Sequence, residues 1–238
     1  MRQGSATSKP TPKKRHIDAR SPPSGTSKAP PKGKATPAAN PSDDRLRHHA
    51  PRRSVAFQFR AAVHEAGHAV TRLYLGLGVL ERITIDGAEG GGVSWRIDEL
   101  DDQTEELLTA AIVTALAGRA AEEEIIGTIA IGSGGPPFSD LAYATDIAFQ
   151  MEATLGLGQK WPLLHRPTKD RAILFALDPE LAARVNARLE TAYGAAKHIV
   201  ARQRDAVEYL AAILLSHRTL EGAELERILA PIREHIVE

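Results

Sequence analysis

Two histidines, His64 and His68, enclose Glu65 in the motif H-E-x-x-H, and these residue types at this spacing could bind a metal ion and hydrolyse a peptide bond. On an α-helix, residues four apart lie on one face, so both imidazoles can contact the same ion. Zinc suits imidazole ligands, and a catalytic zinc site has three protein ligands and an open position for a water that the metal acidifies. Glu65 could accept the proton of that water and pass it to the leaving amine.

The residues around the motif indicate a helix. Apolar side chains recur at helical spacing, and Gly76 and Gly78 then supply a stop. Gly67 lies in mid-helix, where glycine costs about 1 kcal/mol relative to alanine, so we expect a close neighbour there. The alternative interpretation is a pair of surface histidines, or of core histidines whose hydrogen bonds are satisfied. The apolar positions are Phe57, Ala61, Ala62, Ala66, Ala69, Val70 and Leu73.

A short β-sheet is predicted directly after the motif helix. Residues 81–85 alternate in polarity, the turn signal Asp86-Gly87 follows, and residues 93–97 read as a second strand. An exposed sheet edge beside a zinc helix could receive an extended peptide through main-chain hydrogen bonds. The alternative is an ordinary hairpin that closes the core.

Spacing alone leaves the third metal ligand open. One set of candidates is the acidic run 122–124, near the end of a helix that Asp101 or Asp102 could cap and that ends at Gly127. The others are Asp140 and Asp146, in a helix that begins at Ser139 or Asp140 after a glycine-rich loop. An acidic residue could also orient a ligating imidazole instead of binding the metal.

The C-terminal half is predicted to be helical after an irregular stretch, residues 155–171, that holds Trp161 and His165. Asp178-Pro179 reads as the N-cap and first residue of a helix. Two further helices follow, around residues 207–215 and 225–232. The fold class is therefore mainly α, with a small β-sheet or hairpin beside the H-E-x-x-H helix. Three histidines on these helices lack a partner at ligand spacing and are interpreted as structural, namely His198, His217 and His235.

Charge divides the chain in two although its total is zero. Residues 1–53 carry thirteen Lys/Arg against three Asp, a net charge of +10, and residues 54–238 carry −10. The first segment is rich in Pro, Ser and Lys and poor in large apolar residues, so we expect a disordered basic tail ahead of one globular domain. The tail could contact anionic partners, such as nucleic acid, a membrane or a sister molecule, or act only as a solubilising leader.

Composition excludes several classes of protein. The chain has no cysteine, hence no disulfide and no thiolate ligand or nucleophile. It has no run of 18 apolar residues that could span a membrane and no secretory leader. We therefore expect a soluble, cytoplasmic protein.

Several landmarks together carry a family resemblance. In order they are the AVHEAGHAV helix, the ITI strand before a glycine-rich turn, LAGRAAEE, SDL followed by AT, LGLG and TLEGAELERIL. Over roughly residues 55–232 the chain resembles the peptidase domain of the FtsH-type, ATP-dependent zinc metalloproteases.

The resemblance implies a role for individual residues. It makes His64, His68 and Asp140 the zinc ligands and Glu65 the catalytic base. It suggests that Glu122 or Glu123 supports the site from outside the ligand set. The edge offered to the substrate would be the strand formed by Ile83, Thr84 and Ile85.

Two features depart from the family pattern. The family has a compact S-T-G-A-S-N-D loop before the ligand aspartate, whereas residues 132–139 here form a longer loop with Pro136 and Pro137. The family's membrane helices and ATPase module are missing from this sequence. We therefore expect cleavage of peptides or unfolded segments, or work with a separate ATPase, and the family's ring-forming habit could survive as a homo-oligomer.

The first hypothesis is thus a soluble zinc endopeptidase that acts on unfolded or extended polypeptides and needs no nucleotide for its chemistry. The second is a catalytically silent module that binds peptides, or a partner subunit of a separate ATPase. The third is a nucleic-acid-associated factor that binds through its basic tail alone, because the rest of the chain is acidic.

Overall fold

The computed structural model describes residues 53–87, 90–96, 104–167 and 170–236. The predicted disordered tail, residues 1–53, lies outside the described residues except for Arg53. The described part holds seven helices and three strands, which confirms the predicted mainly α class. In chain order they are α1 (Val55–Tyr74), β1 (Val79–Gly87), β2 (Gly90–Arg96), α2 (Glu105–Ala121), α3 (Asp140–Ala153), α4 (Arg171–Leu177), α5 (Pro179–Arg202), α6 (Arg204–His217), β3 (Thr219–Glu221) and α7 (Gly222–Ile236).

Helix α1 carries the H-E-x-x-H motif, as predicted, and forms the centre of the core. The Ser54 hydroxyl caps it by accepting a hydrogen bond from the Phe57 amide at 3.1 Å. The expected close neighbour of Gly67 is α2, because a Cβ built on Gly67 would lie 2.6 Å from Ala121 Cβ. Glycine therefore lets α1 and α2 approach closely enough to share the functional residues described below.

Helix α2 begins later than the sequence analysis expects. Thr104 is its N-cap and accepts a hydrogen bond from the Leu107 amide, whereas Asp101 and Asp102 lie outside the described residues. The helix continues into a π-helical turn, Glu122–Ile126, and ends at Gly127, as predicted. Gly127 adopts a φ of 78°, a left-handed conformation that glycine reaches without strain.

The sheet corrects one prediction about the substrate strand. Its order is β2-β1-β3 and both pairs are antiparallel, so β1 is the central strand. Ile83, Thr84 and Ile85 lie on β1, where Ile83 pairs with Val93 on one side and Leu220 on the other. The expectation of a free edge at these residues is therefore wrong, because the short strand β3 covers it. Within the described residues, β2 forms the edge on the side opposite β3.

The C-terminal helices pack around α1 and α2 as their apolar patterns predict. Asp178 caps α5 through a hydrogen bond from the Leu181 amide, and Pro179 is its first residue. Buried leucines of α6 and α7 belong to the same hydrophobic core. Helix α4 and strand β3 have no counterpart among the sequence-based predictions.

Candidate metal centre

Two helices, α1 and α3, bring the three predicted ligands together. Helix α1 presents His64 and His68 from successive turns, and α3 begins at Asp140. The Ser139 hydroxyl caps α3 by accepting a hydrogen bond from the Ala142 amide, which fixes the position of the following aspartate. The loop that contains Pro136 and Pro137 thus ends in a defined helix start, with Asp140 in its first turn.

His64, His68 and Asp140 are the group of described residues that could hold a metal ion. The Nε2 atoms of the two histidines lie 3.0 Å apart, and Asp140 Oδ2 lies 3.1 Å from His64 Nε2 and 3.6 Å from His68 Nε2. Ligand atoms about 2.0–2.1 Å from a tetrahedral zinc ion lie about 3.3 Å from one another, so these separations bracket the expected value. Two imidazoles and a carboxylate at these separations fit the zinc cofactor that the sequence predicts.

The outer ring nitrogens of both histidines are also held. His64 Nδ1 lies 2.8 Å from Glu122 Oε1, and His68 Nδ1 lies 2.7 Å from the Thr114 carbonyl oxygen. Both partners can only accept, so they favour a proton on Nδ1, and a metal ion that replaces any proton on Nε2 would find the Nε2 lone pair of each ring directed at it. The Thr114 contact was missed by the sequence analysis, since a backbone carbonyl leaves no signal in residue type.

Glu122 connects the site to its surroundings through three contacts. Its Oε1 accepts from His64, and its Oε2 accepts from Arg60 Nη1 and from the Ala130 amide, both at 2.7 Å. Burial raises the pKa of Glu122, but these bonds outweigh burial and hold the pKa below its usual range. Glu123 points elsewhere, towards the Tyr193 hydroxyl and Lys197. Of the two candidates for a supporting role, Glu122 is the one that contacts a predicted ligand.

Contacts within the ligand group shift the pKa values of His64 and Asp140 in opposite directions. Burial lowers the pKa of His64, but its hydrogen bonds to Asp140 and Glu122 outweigh that effect and raise the pKa to about 10. Burial raises the pKa of Asp140, yet its contacts with His64 and His68 hold that pKa well below its usual range. Two carboxylates thus stabilise positive charge at His64, as they would stabilise a cation bound beside it.

Glu65 lies next to the ligands in a buried position. It is 6% exposed, and burial raises its pKa, as suits a group that must accept and return a proton. Strand β2 passes directly over it, because a Cβ built on Gly91 would lie 2.3 Å from Glu65 Oε1. On the other side, a Cβ built on Gly118 of α2 would lie 2.5 Å from His64 Nε2. Any side chain at Gly91 would collide with Glu65, and any side chain at Gly118 would collide with His64.

Other acidic candidates lie away from the metal group. Asp146 forms an ion pair with Arg171 on α4.

The other residues singled out in the sequence lie outside the ligand group. Ile83, Thr84 and Ile85 lie on the central strand, and Ile83 and Ile85 are buried in the core. Two of the histidines interpreted as structural make local contacts, His217 with Glu224 and His235 with the Pro231 carbonyl, and His165 contacts the Thr154 carbonyl.

Fold and site together define a mainly helical domain with an H-E-x-x-H metal centre, the class to which many metallopeptidases belong. The family model of peptidase family M41 matches residues 52–228. The chain belongs to that family.

Known relatives agree with this assignment. The chain is 32% identical over 187 residues to ATP-dependent zinc metalloprotease FtsH 1 of Sorangium cellulosum, which covers 72% of this chain and 30% of the relative. It is 33% identical over 179 residues to ATP-dependent zinc metalloprotease FtsH 2 of Symbiobacterium thermophilum, with the same two shares. A chloroplastic protein of Arabidopsis thaliana, ATP-dependent zinc metalloprotease FTSH 8, is 31% identical over 189 residues, or 73% of this chain and 27% of the relative.

The chain therefore spans less than a third of the length of these relatives. The predicted resemblance to the peptidase domain of the FtsH-type enzymes is confirmed. Among the helices that the structure describes, none has both the length and the apolar character needed to cross a membrane.

Proposed function

We propose that this chain is a zinc-dependent endopeptidase that cleaves unfolded or extended polypeptides. The observation that carries the proposal is the meeting of His64, His68 and Asp140 at 3.0–3.6 Å beside a buried Glu65. Zinc held by these three residues would acidify a water in its open position and polarise the scissile carbonyl. The relatives are named zinc metalloproteases, which supports this choice of metal.

Glu65 is proposed as the catalytic base. It accepts a proton from the attacking water and returns it to the nitrogen of the leaving amine, so that it ends the cycle as a carboxylate. Its raised pKa supports this role, because a proton is held more firmly in the buried site than on a solvated glutamate. Glu122 and the Thr114 carbonyl orient the two imidazoles while this transfer takes place.

We propose that the substrate pairs with β2 and not with β1. Strand β2 forms the edge of the described sheet that lies opposite β3, and its Gly91 lies against Glu65. An extended peptide added to that edge would be held by main-chain hydrogen bonds, which are independent of substrate sequence. Its scissile bond would come close to the base because no side chain separates Gly91 from Glu65.

Chemistry at Glu65 needs water and a metal ion but no nucleotide. The relatives' names include ATP dependence. We propose that ATP serves the unfolding of stable substrates, through an ATPase that acts with this chain, and that the active form is a homo-oligomer. The basic segment 1–53 is proposed to bind an anionic partner, with electrostatic attachment that weakens as salt is added.

The test is hydrolysis of casein, an unfolded protein, by zinc-loaded protein without nucleotide. We expect hydrolysis by the parent, loss of activity with a chelator and recovery when zinc is returned. Glu65→Gln should retain zinc and lose activity by a factor of about 100 or more. Absence of hydrolysis by the zinc-loaded parent would contradict the proposal and favour a peptide-binding module. Glu123→Gln is a suitable control, since Glu123 faces Tyr193 and not the ligands.

A further inference from the structure

Arg72 is a buried cation without an anionic partner in the described part of the chain. It lies on α1 one turn after His68 and is only 6% exposed. Among the described residues it forms no ion pair, and its Nε atom has no hydrogen-bond partner. Buried arginines are ordinarily paired, because an uncompensated charge is costly to remove from water. Within the part of the chain that the structure describes, this side chain therefore retains a capacity to bind an anion.

The surroundings of Arg72 leave that capacity available. Its guanidinium carbon lies 3.9 Å from the centre of the Trp95 ring, and Trp95, on β2, is 43% exposed. A cation over an indole keeps its N–H groups at the guanidinium edge, where they can still bond a carboxylate. Burial lowers the pKa of Arg72 to about 10, an effect that a bound anion would reverse.

Arg72 also lies on the side of α1 that carries His68 and Glu65. At 100° per residue, its direction from the helix axis falls between those of His68 and Glu65, about 6 Å further along α1 than His68. Strand β2 runs beside the helix over the same interval, with Gly91 against Glu65 and Trp95 against Arg72. Four strand residues span about 13 Å, so a peptide paired with β2 would reach Arg72 three or four residues from its scissile bond.

We propose that Arg72 and Trp95 form a subsite that binds a carboxylate of the substrate three or four residues from the cleaved bond. The inference rests on the proposed peptidase function and adds a substrate preference to it. The carboxylate could belong to an Asp or Glu side chain or to the end of the peptide. Both present the same two oxygens to the guanidinium fork, and Trp95 packs against the aliphatic part of either.

The preference is tested with a set of synthetic peptides that differ in one position. In each, Glu or Gln occupies one of the four positions on either side of the cleaved bond, and each peptide is made with a free or an amidated C-terminus. For the parent we expect kcat/KM to be about tenfold higher with Glu at one position three or four residues away, since hydrogen bonds to charged groups are worth about that factor. A preference lost on amidation would instead assign the subsite to the peptide end.

Arg72→Met should abolish this preference, so that Glu and Gln peptides have equal kcat/KM, and Arg72→Lys should retain part of it. Arg227→Met is the matched control for loss of one positive charge, because Arg227 is largely exposed on α7. It should keep the full preference. A parent without preference at any position, or a preference that survives Arg72→Met, would overturn the inference.

A binding measurement keeps the inference testable without hydrolysis. The chain has two tryptophans, so Trp161→Phe leaves Trp95 as the only reporter. In a Glu65→Gln, Trp161→Phe protein, the Glu peptide should change Trp95 emission at about tenfold lower concentration than the Gln peptide. Adding Arg72→Met should remove that difference.

The two measurements separate the inference from the function on which it rests. If casein and all peptides stay intact while the Glu peptide still binds more tightly through Arg72, the peptidase proposal fails and the subsite stands. If peptides are cleaved without regard to Glu and Arg72→Met only lowers Tm, Arg72 has a packing role and the subsite is refuted.

Discussion

Glu122 is the residue through which the rest of the domain acts on the metal ligands. It joins His64 to Arg60 of α1 and to the Ala130 amide, and it is almost fully buried. Its carboxylate orients the imidazole and increases the basicity of the ring that would bind zinc. Glu123, the next residue, has the same side chain but contacts Tyr193.

Glu122→Gln is predicted to weaken zinc binding about 10- to 100-fold, the usual cost of losing such a partner. The amide keeps the shape of the carboxylate but loses its charge. Glu123→Gln should leave zinc affinity within about twofold of the parent. Competition with a chromogenic chelator measures both affinities. Equal affinities in the two variants would show that Glu122 does not support the site.

At the scale of elements, α2 approaches the metal ligands so closely that only glycine fits at the contact. A Cβ on Gly118 would lie 2.5–2.6 Å from three atoms of the His64 ring. A Cβ built on Gly194, in mid-helix on α5, would have no atom within 4 Å beyond its chain neighbours and the backbone of its own helix. Gly194 therefore provides a control.

Gly118→Ala is predicted to displace the His64 ring, lower the free energy of unfolding by about 1–3 kcal/mol and weaken zinc binding. Gly194→Ala should raise the unfolding free energy by up to about 1 kcal/mol, because alanine favours helix. Urea unfolding of the two variants, with zinc affinity measured in parallel, tests this pair. Stabilisation by both substitutions would refute the close contact at Gly118.

The N-cap of α5, Asp178, is predicted to make the stability of the fold depend on pH. Asp178 accepts a hydrogen bond from the Leu181 amide at 2.9 Å and one from Arg166 at 3.0 Å, and these contacts lower the pKa of Asp178. A carboxyl with a lowered pKa in the folded state stabilises the fold above its unfolded pKa of about 3.9, and this contribution is lost as pH falls through the folded value.

Asp178→Asn keeps a neutral capping oxygen but removes the charge. At pH 7 we expect the variant to be less stable than the parent by about 0.5 kcal/mol, the usual contribution of a charge at a helix N-terminus. The difference should shrink towards zero as pH falls from the unfolded pKa of about 3.9 through the lower pKa of folded Asp178, where the carboxyl of the parent becomes protonated. Unfolding by urea between pH 3 and pH 7 measures it. A difference that stays constant over this range would exclude the charge as its cause.

Elements with a strong local signal were predictable from the sequence. The apolar period of α1 and the Asp178-Pro179 start of α5 depend on neighbouring residues, and both predictions are confirmed. Helix α4 has only seven residues, nearly all apolar, so no helical period of apolar and polar positions is visible in it. Strand β3 has three residues, too few for an alternation to be visible, and missing it led to the wrong edge for the sheet.

In the site, too, spacing predicted only the residues that lie close together in the sequence. His64 and His68 follow from spacing within one helix, whereas Asp140 lies 76 residues after His64 and reaches it only through the packing of α3. Residue spacing could not distinguish it from Asp146, which the fold turns towards Arg171. The family resemblance selected Asp140, and the structure brings that residue to the two histidines.

At the scale of the whole molecule, a metal ion would link α1 and α3, two helices that are far apart in sequence. Both histidines are also fastened to α2 and the turn that follows it, through the Thr114 carbonyl and Glu122, while the Ser139 cap fixes the start of α3 at Asp140. Metal binding is therefore expected to depend on the packing of the whole fold and not on the H-E-x-x-H motif alone.

Zinc content by mass spectrometry on four purified proteins, with casein hydrolysis measured on the same samples, tests whether His64, His68 and Asp140 bind the metal on which hydrolysis depends. We predict about one zinc per chain and hydrolysis for the parent and for Asp146→Ala, zinc without hydrolysis for Glu65→Gln, and loss of both for Asp140→Ala. No zinc in the parent, or full zinc and activity in Asp140→Ala, would contradict the account.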